Sequence, residues 1–107
     1  MDILHRIKRL IALGRYHATL KAEAELDADG LVPQDAVEAI LNAQTIKKVL
    51  RSNSPRRSEA GEKLYVIEGF NYTGTLIYTK GAIKREADGY VFYLLISSKI
   101  STFGDGD

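Results

Sequence analysis

Tyr90-Val91-Phe92-Tyr93-Leu94-Leu95-Ile96-Ser97-Ser98-Lys99 is the stretch that decides the fold. It follows the turn signal Ala87-Asp88-Gly89 and is rich in aromatic and aliphatic residues, so it reads as a strand. Side chains alternate across a strand. Tyr90, Phe92, Leu94 and Ile96 therefore share one face, and Val91, Tyr93, Leu95, Ser97 and Lys99 share the other. The first set is uniformly large and apolar and is expected to pack on helices. The second turns polar toward its end and is expected to line an open face. Working upstream, Thr75–Lys84 is a strand, Asn71-Tyr72-Thr73-Gly74 a turn, and Leu64–Phe70 a strand. Ser52–Glu62 is a polar loop with Pro55 and Gly61, and Thr45–Arg51 is a short strand. Links this short imply an antiparallel meander.

The first 43 residues carry a different period. Asp2 suits an N-cap, and Ile3, Leu4, Ile7, Leu10 and Ile11 recur at helical spacing up to Gly14. A second helix is expected over Ala18–Ala28, with Leu20 and Ala24 packing and Glu23, Glu25 and Asp27 facing water. Pro33 suits the first turn of a third helix, closed by Asn42 or Ala43. The expected fold is α+β, with three N-terminal helices on a four-stranded antiparallel sheet. Residues 1–107 make one domain, with helices over about 2–43, the sheet over about 45–100 and a frayed tail at 102–107.

The chain has 107 residues and no cysteine, so disulfides and thiolate metal sites are excluded. Its apolar runs fall short of the ~20 residues that span a membrane. Met1-Asp2-Ile3-Leu4-His5-Arg6 lacks the apolar core of a signal peptide, so a cytoplasmic location is expected. The net charge is only +1, but it is unevenly placed: residues 44–103 carry ten Lys/Arg against five Asp/Glu. Lys47, Lys48, Arg51, Arg56 and Arg57 lie in one stretch with no acid. Such a run can track a phosphate backbone. A solvated connection, or a surface for an acidic protein, is the competing reading.

His5 and His17 belong to no metal-binding pattern, and no glycine-rich phosphate loop or nucleophile elbow is present, so no metal or cofactor is expected. His17 reads as a structural or surface residue. Tyr78 and Lys80, two apart, share a strand face, and Tyr93 and Lys99 share another by the same parity. If these strands pair, a phenol and several cations converge. That set suits attack of an RNA 2′-OH on its own 3′-phosphate: cations stabilise the phosphorane charge, and Tyr donates a proton or hydrogen bond. The competing reading is that Tyr and Lys simply favour exposed strand faces.

Leu4-His5-Arg6-Ile7-Lys8-Arg9-Leu10-Ile11-Ala12-Leu13-Gly14-Arg15-Tyr16, Thr19-Leu20-Lys21-Ala22, Ala39-Ile40-Leu41-Asn42, Ile77-Tyr78-Thr79-Lys80 and Ile96-Ser97-Ser98-Lys99 together cover most of the chain. In these stretches it resembles the MqsR-type toxins of bacterial toxin–antitoxin pairs, and related small domains encoded beside MqsA-like zinc-finger antitoxins. The resemblance implies a RelE- and barnase-like ribonuclease fold and metal-independent cleavage of single-stranded messenger RNA. It also implies silencing by an antitoxin of zinc-finger or helix-turn-helix type. By position it assigns catalytic roles to Arg51, where the family has Lys, and to Tyr78 and Lys99, which match. Tyr65 stands where the family has Gln, a departure, and Glu68 on the same strand is a stand-in base. Lys47, Lys48, Arg56, Arg57, Lys80 and Tyr93 are the expected RNA-binding residues. The rival reading is a degenerate toxin that binds its partner without chemistry, or an RNA-binding protein.

Overall fold

The computed structural model describes residues 2–51 and 61–102. Most of the predicted polar loop, with Arg56 and Arg57, and the tail from Phe103 onward lie outside the described residues. The elements are α1 (Ile3–Ala12), β1 (Tyr16–Ala18), α2 (Leu20–Ala28), α3 (Pro33–Asn42), β2 (Lys48–Arg51), β3 (Lys63–Phe70), β4 (Leu76–Arg85) and β5 (Val91–Ile100). Each helix starts where its cap permits. Asp2 Oδ1 accepts from the His5 N–H at 2.7 Å, and Thr19 Oγ1 accepts from the Ala22 N–H at 3.0 Å. Pro33 opens α3, and Asp35 Oδ2 accepts from the Val32 N–H at 2.9 Å. None of the described helices is long and apolar enough to cross a membrane.

The architecture is α+β with three helices, but the sheet is five-stranded and mixed, in the order β1-β5-β4-β3-β2. β2 to β5 form the antiparallel meander. The unexpected strand is β1, which pairs parallel with β5 through Tyr16↔Tyr93, His17↔Leu94 and Ala18↔Leu95. It is three residues long, too short to show a period, so the predicted second helix absorbed its end. Thr19 marks the true boundary: its N–H still donates to the Leu95 carbonyl as a strand residue would, while its side chain caps α2.

Up to Leu95 the face assignment of β5 is the reverse of the expectation, whereas Ser97 and Lys99 lie on the helix-free face as expected. Val91, Tyr93 and Leu95 pack on the helices, in one core with Ile7, Leu10, Ile11, Leu26, Val37, Ile40, Tyr65 and Ile67. Leu94 and Ile96 instead join Leu50, Leu64 and Ala82 in a small cluster on the other face. Both sets are apolar, so alternation alone cannot say which meets the helices. What distinguishes them is the opposite strand. Gly81 leaves room for the Tyr93 ring: a Cβ there would stand 2.5 Å from Tyr93 Cζ and 2.6 Å from the Leu94 carbonyl. One further irregularity matters. Lys80 pairs with Ser97 but Gly81 with Leu95, so Ile96 is an extra residue in β5. A bulge of this kind reverses side-chain parity beyond it.

The outer edge of β5 beyond β1 is closed by α2. Glu25 Oε1 accepts from the Ser98 N–H at 3.0 Å and from Ser97 Oγ at 2.6 Å, and Asp29 Oδ2 accepts from the Ile100 N–H at 2.8 Å. Two carboxylates one helical turn apart thus replace a neighbouring strand, which removes an edge open to aggregation. Glu25 is therefore not a water-facing acid as expected. Ala22 and Leu26 form the buried stripe of α2, and Leu20 is exposed.

Tyr93 is 0 % exposed, and among the described residues its hydroxyl has no hydrogen-bond partner. Burial, with a smaller contribution from Tyr65 nearby, pushes its phenol well above the usual range. Replacing a buried, unpaired hydroxyl by hydrogen removes a desolvation cost. Tyr93→Phe is therefore expected to keep the fold and to raise stability by about 1 kcal/mol. Urea unfolding of the two proteins checks this.

Candidate functional site

Strand pairing sets Glu68 of β3 opposite Tyr78 of β4, and Tyr78 opposite Lys99 of β5. Glu68 alternates with Ile67, which packs on the helices, so this row projects from the helix-free face. Lys99 reaches that face because the extra residue at Ile96 shifts parity between Tyr93 and the strand end. Its Nζ lies 5.6 Å from the centroid of the Tyr78 ring, in cation–π range. The neighbouring row on the same face is Lys48, Val66, Lys80 and Ser97. Lys80 is thus two residues from Tyr78 on the same face, as the strand parity predicts.

Glu68 is held from two sides. Lys47 Nζ lies 2.9 Å from its Oε1, and Ser101 Oγ donates to its Oε2. Burial alone would raise this carboxyl, but the Ser101 hydrogen bond and the Lys47 ammonium outweigh it and hold Glu68 below the usual carboxylate range. The row therefore carries an ionised carboxylate, a phenol and an ammonium on adjacent strands. Because the Glu68 pKa is depressed on folding, its stabilising contribution is present above the unfolded value and lost as pH falls through the folded one. Chemical unfolding measured from pH 7 down to pH 3 is expected to show this loss in the wild type. It should be smaller in Glu68→Gln.

Three expected site residues lie elsewhere. Arg51 pairs with Lys63, on the strand side that carries Tyr65, so its position projects from the helix face. It lies five residues along β3 from Glu68, about 17 Å away. There its Nη1 donates to the Gly61 carbonyl at 3.0 Å. Arg51 therefore does not share an anion-sized spot with Tyr78 and Lys99. Tyr65 is buried in the helix-facing core, 8 % exposed, and is not positioned to stack on a base. Tyr93 lies in the same core and cannot touch RNA. Lys47 is found on Glu68, and Arg56 and Arg57 fall outside the described residues. Ser101 was not legible as a site residue; its only sequence signal is its place just beyond the last strand. A groove of about 260 Å³ between Asp2–Leu4 and Gln44–Ile46 shares no residue with the row.

No protein-family model matches the chain, and neither a curated protein nor a solved structure matches it.

Proposed function

We propose that this chain is a toxin-type endoribonuclease that cleaves single-stranded RNA without a metal, through the row Glu68–Tyr78–Lys99. The observation that carries this reading is the side-by-side placement of the three residues on the helix-free face. The Glu68 carboxylate takes the proton of a 2′-OH, and the freed oxygen attacks the adjacent phosphorus. The Lys99 ammonium, with Lys80 two residues from Tyr78, stabilises the phosphorane charge. The Tyr78 hydroxyl gives its proton to the departing 5′-oxygen. The products are a 2′,3′-cyclic phosphate and a 5′-hydroxyl. Substrate phosphate competes with Glu68 for the Lys47 ammonium, which frees the carboxylate for proton transfer. Arg51 has no part in this scheme, and the family resemblance supports it only through Tyr78 and Lys99. The same resemblance supports an antitoxin protein as the partner that silences the site.

A second reading has its own observation. Tyr78 is 8 % exposed, and Glu68 is already occupied by Lys47 and Ser101, which suits a binding module without chemistry. Incubation of purified protein with single-stranded RNA separates the two. Cleavage that leaves cyclic phosphate ends, and that Tyr78→Phe and Lys99→Ala abolish without altering the circular dichroism spectrum, is the expected result. Intact RNA with the wild-type protein refutes the nuclease.

A further inference from the structure

A second chemical feature lies at the opposite end of the same face. Tyr90 and Phe92 are stacked, with ring centroids 5.7 Å apart and planes at 22°. The Arg15 guanidinium carbon lies 5.7 Å from the centroid of the Tyr90 ring. The His17 ring meets Phe92 edge-on at 4.9 Å. His17 pairs with Leu94 and Phe92 with Lys84, so all of these groups sit on the side away from the helices. Arg15 and His17 are exposed, and Tyr90 and Phe92 are half-buried. The ladder joins elements far apart in sequence: Arg15, just before β1, supplies the cation, His17 within β1 the imidazole, and Tyr90, just before β5, and Phe92 within it the two rings. Of the nearby acids, Asp88 accepts from the Tyr90 N–H at 2.9 Å and Glu62 pairs with Lys84. Glu86, whose N–H donates to the Tyr90 carbonyl at 2.8 Å, is a third acid at this end and is exposed.

We infer that Arg15, His17, Tyr90 and Phe92 form a stacking platform for an unpaired base of single-stranded RNA, remote from the reacting phosphate. The proposal rests on the ribonuclease reading for its ligand. The Arg15 guanidinium now lies over the Tyr90 ring on an exposed side chain; a base takes its place on the π face, and the displaced guanidinium then contacts the neighbouring phosphate. Phe92 and Lys99 are set apart along β4 by the six-position step from Tyr78 to Lys84, their partners, about 20 Å. An extended strand crossing the face between them passes Lys80, so one RNA segment can stack at one end while its phosphate reacts at the other. Contacts made equally in the bound and transition states lower KM and leave kcat unchanged. The platform therefore acts as a binding subsite.

The test uses a 2′-O-methylated single-stranded oligonucleotide, which binds but cannot supply the attacking hydroxyl. The chain contains no tryptophan, so Phe92→Trp introduces a single indole that keeps a stacking ring. Its fluorescence is expected to be quenched as the oligonucleotide is added. Arg15→Ala, an exposed change that spares the core, and Phe92→Ala are each expected to weaken binding by about tenfold. Both should raise KM for cleavable RNA at unchanged kcat. A wild-type protein that cleaves RNA, with the same KM in both variants and no quenching in Phe92→Trp, overturns the platform and leaves the nuclease standing. Binding that depends on Arg15 and Phe92 in a protein that never cleaves supports the platform and removes the nuclease. Absence of oligonucleotide binding by the wild type, or quenching by an acidic protein but not by the oligonucleotide, overturns the platform as an RNA site.

Discussion

Gly69→Ala is expected to cost about 3 kcal/mol or more, at or beyond the upper end of ordinary overpacking penalties. Gly69 sits in β3 directly beneath α3. A Cβ added there would stand 2.0 Å from the Ala39 carbonyl oxygen, 2.9 Å from the carbonyl carbon and 3.3 Å from the Ala39 Cα. All three are backbone atoms of a helix whose Ala36, Ala39 and Ile40 are buried, so no side chain can rotate aside. Relief requires α3 to lift from the sheet, which opens the core around Ile40 and Ile67. Against a total stability of about 5–15 kcal/mol for a small domain, the loss is a large fraction. The midpoint of thermal unfolding should fall by more than about 10 °C, or the variant should not fold. Gly69→Ala melting within a few degrees of the wild type would show that the helix does not approach the strand this closely.

Glu68→Gln has the second large expected effect, and it bears on activity. A general base contributes about 10²–10⁴-fold to rate, and Gln keeps the shape while losing the charge and the proton acceptance. The expected loss of cleavage is therefore about 100-fold or more in kcat, with KM for RNA little changed. The structural cost is smaller: the Lys47 ion pair is half-exposed, with side-chain exposures of 43 % and 18 %, and such pairs are screened by water. Ser101→Ala serves as a control. It removes a hydrogen bond from Glu68 but leaves the carboxylate, so it should raise the carboxyl pKa and shift the acid limb of the pH–rate profile upward. If Glu68→Gln cleaves as fast as the wild type, Glu68 is a structural anchor for Lys47 and Ser101, and the base lies elsewhere.

Much of the fold was legible because it rests on local chemistry. Asp2 as a cap, Pro33 as an opener, and the turns near Gly74 and Gly89 all act within a few residues, and the elements they delimit appear close to their expected ends. Tyr78 and Lys99 do meet across β4 and β5, but alternation alone does not account for Lys99. Simple alternation puts Tyr93 and Lys99 on one face. The extra residue at Ile96 separates them, sending Tyr93 into the core and leaving Lys99 beside Tyr78. Nothing within the strand marks Ile96 as a bulge, because the bulge is a relation between β5 and β4. Arg51 was misplaced for a related reason: its face and height depend on its register with Lys63.

Charge distribution, element order, helix boundaries and the presence of a meander were determined by the amino-acid sequence itself, since caps, turns and hydrophobic period act over short distances. Tertiary structure alone decided the fifth strand, which face of the sheet the helices cover, and which polar residues meet. β1 exists only because β5, more than seventy residues later, offers it an edge. The helices cover Tyr93 and not Phe92 because Gly81 on the next strand leaves space for one ring. When both faces of a strand are apolar, its own pattern is degenerate, and the shape of its neighbour settles the choice.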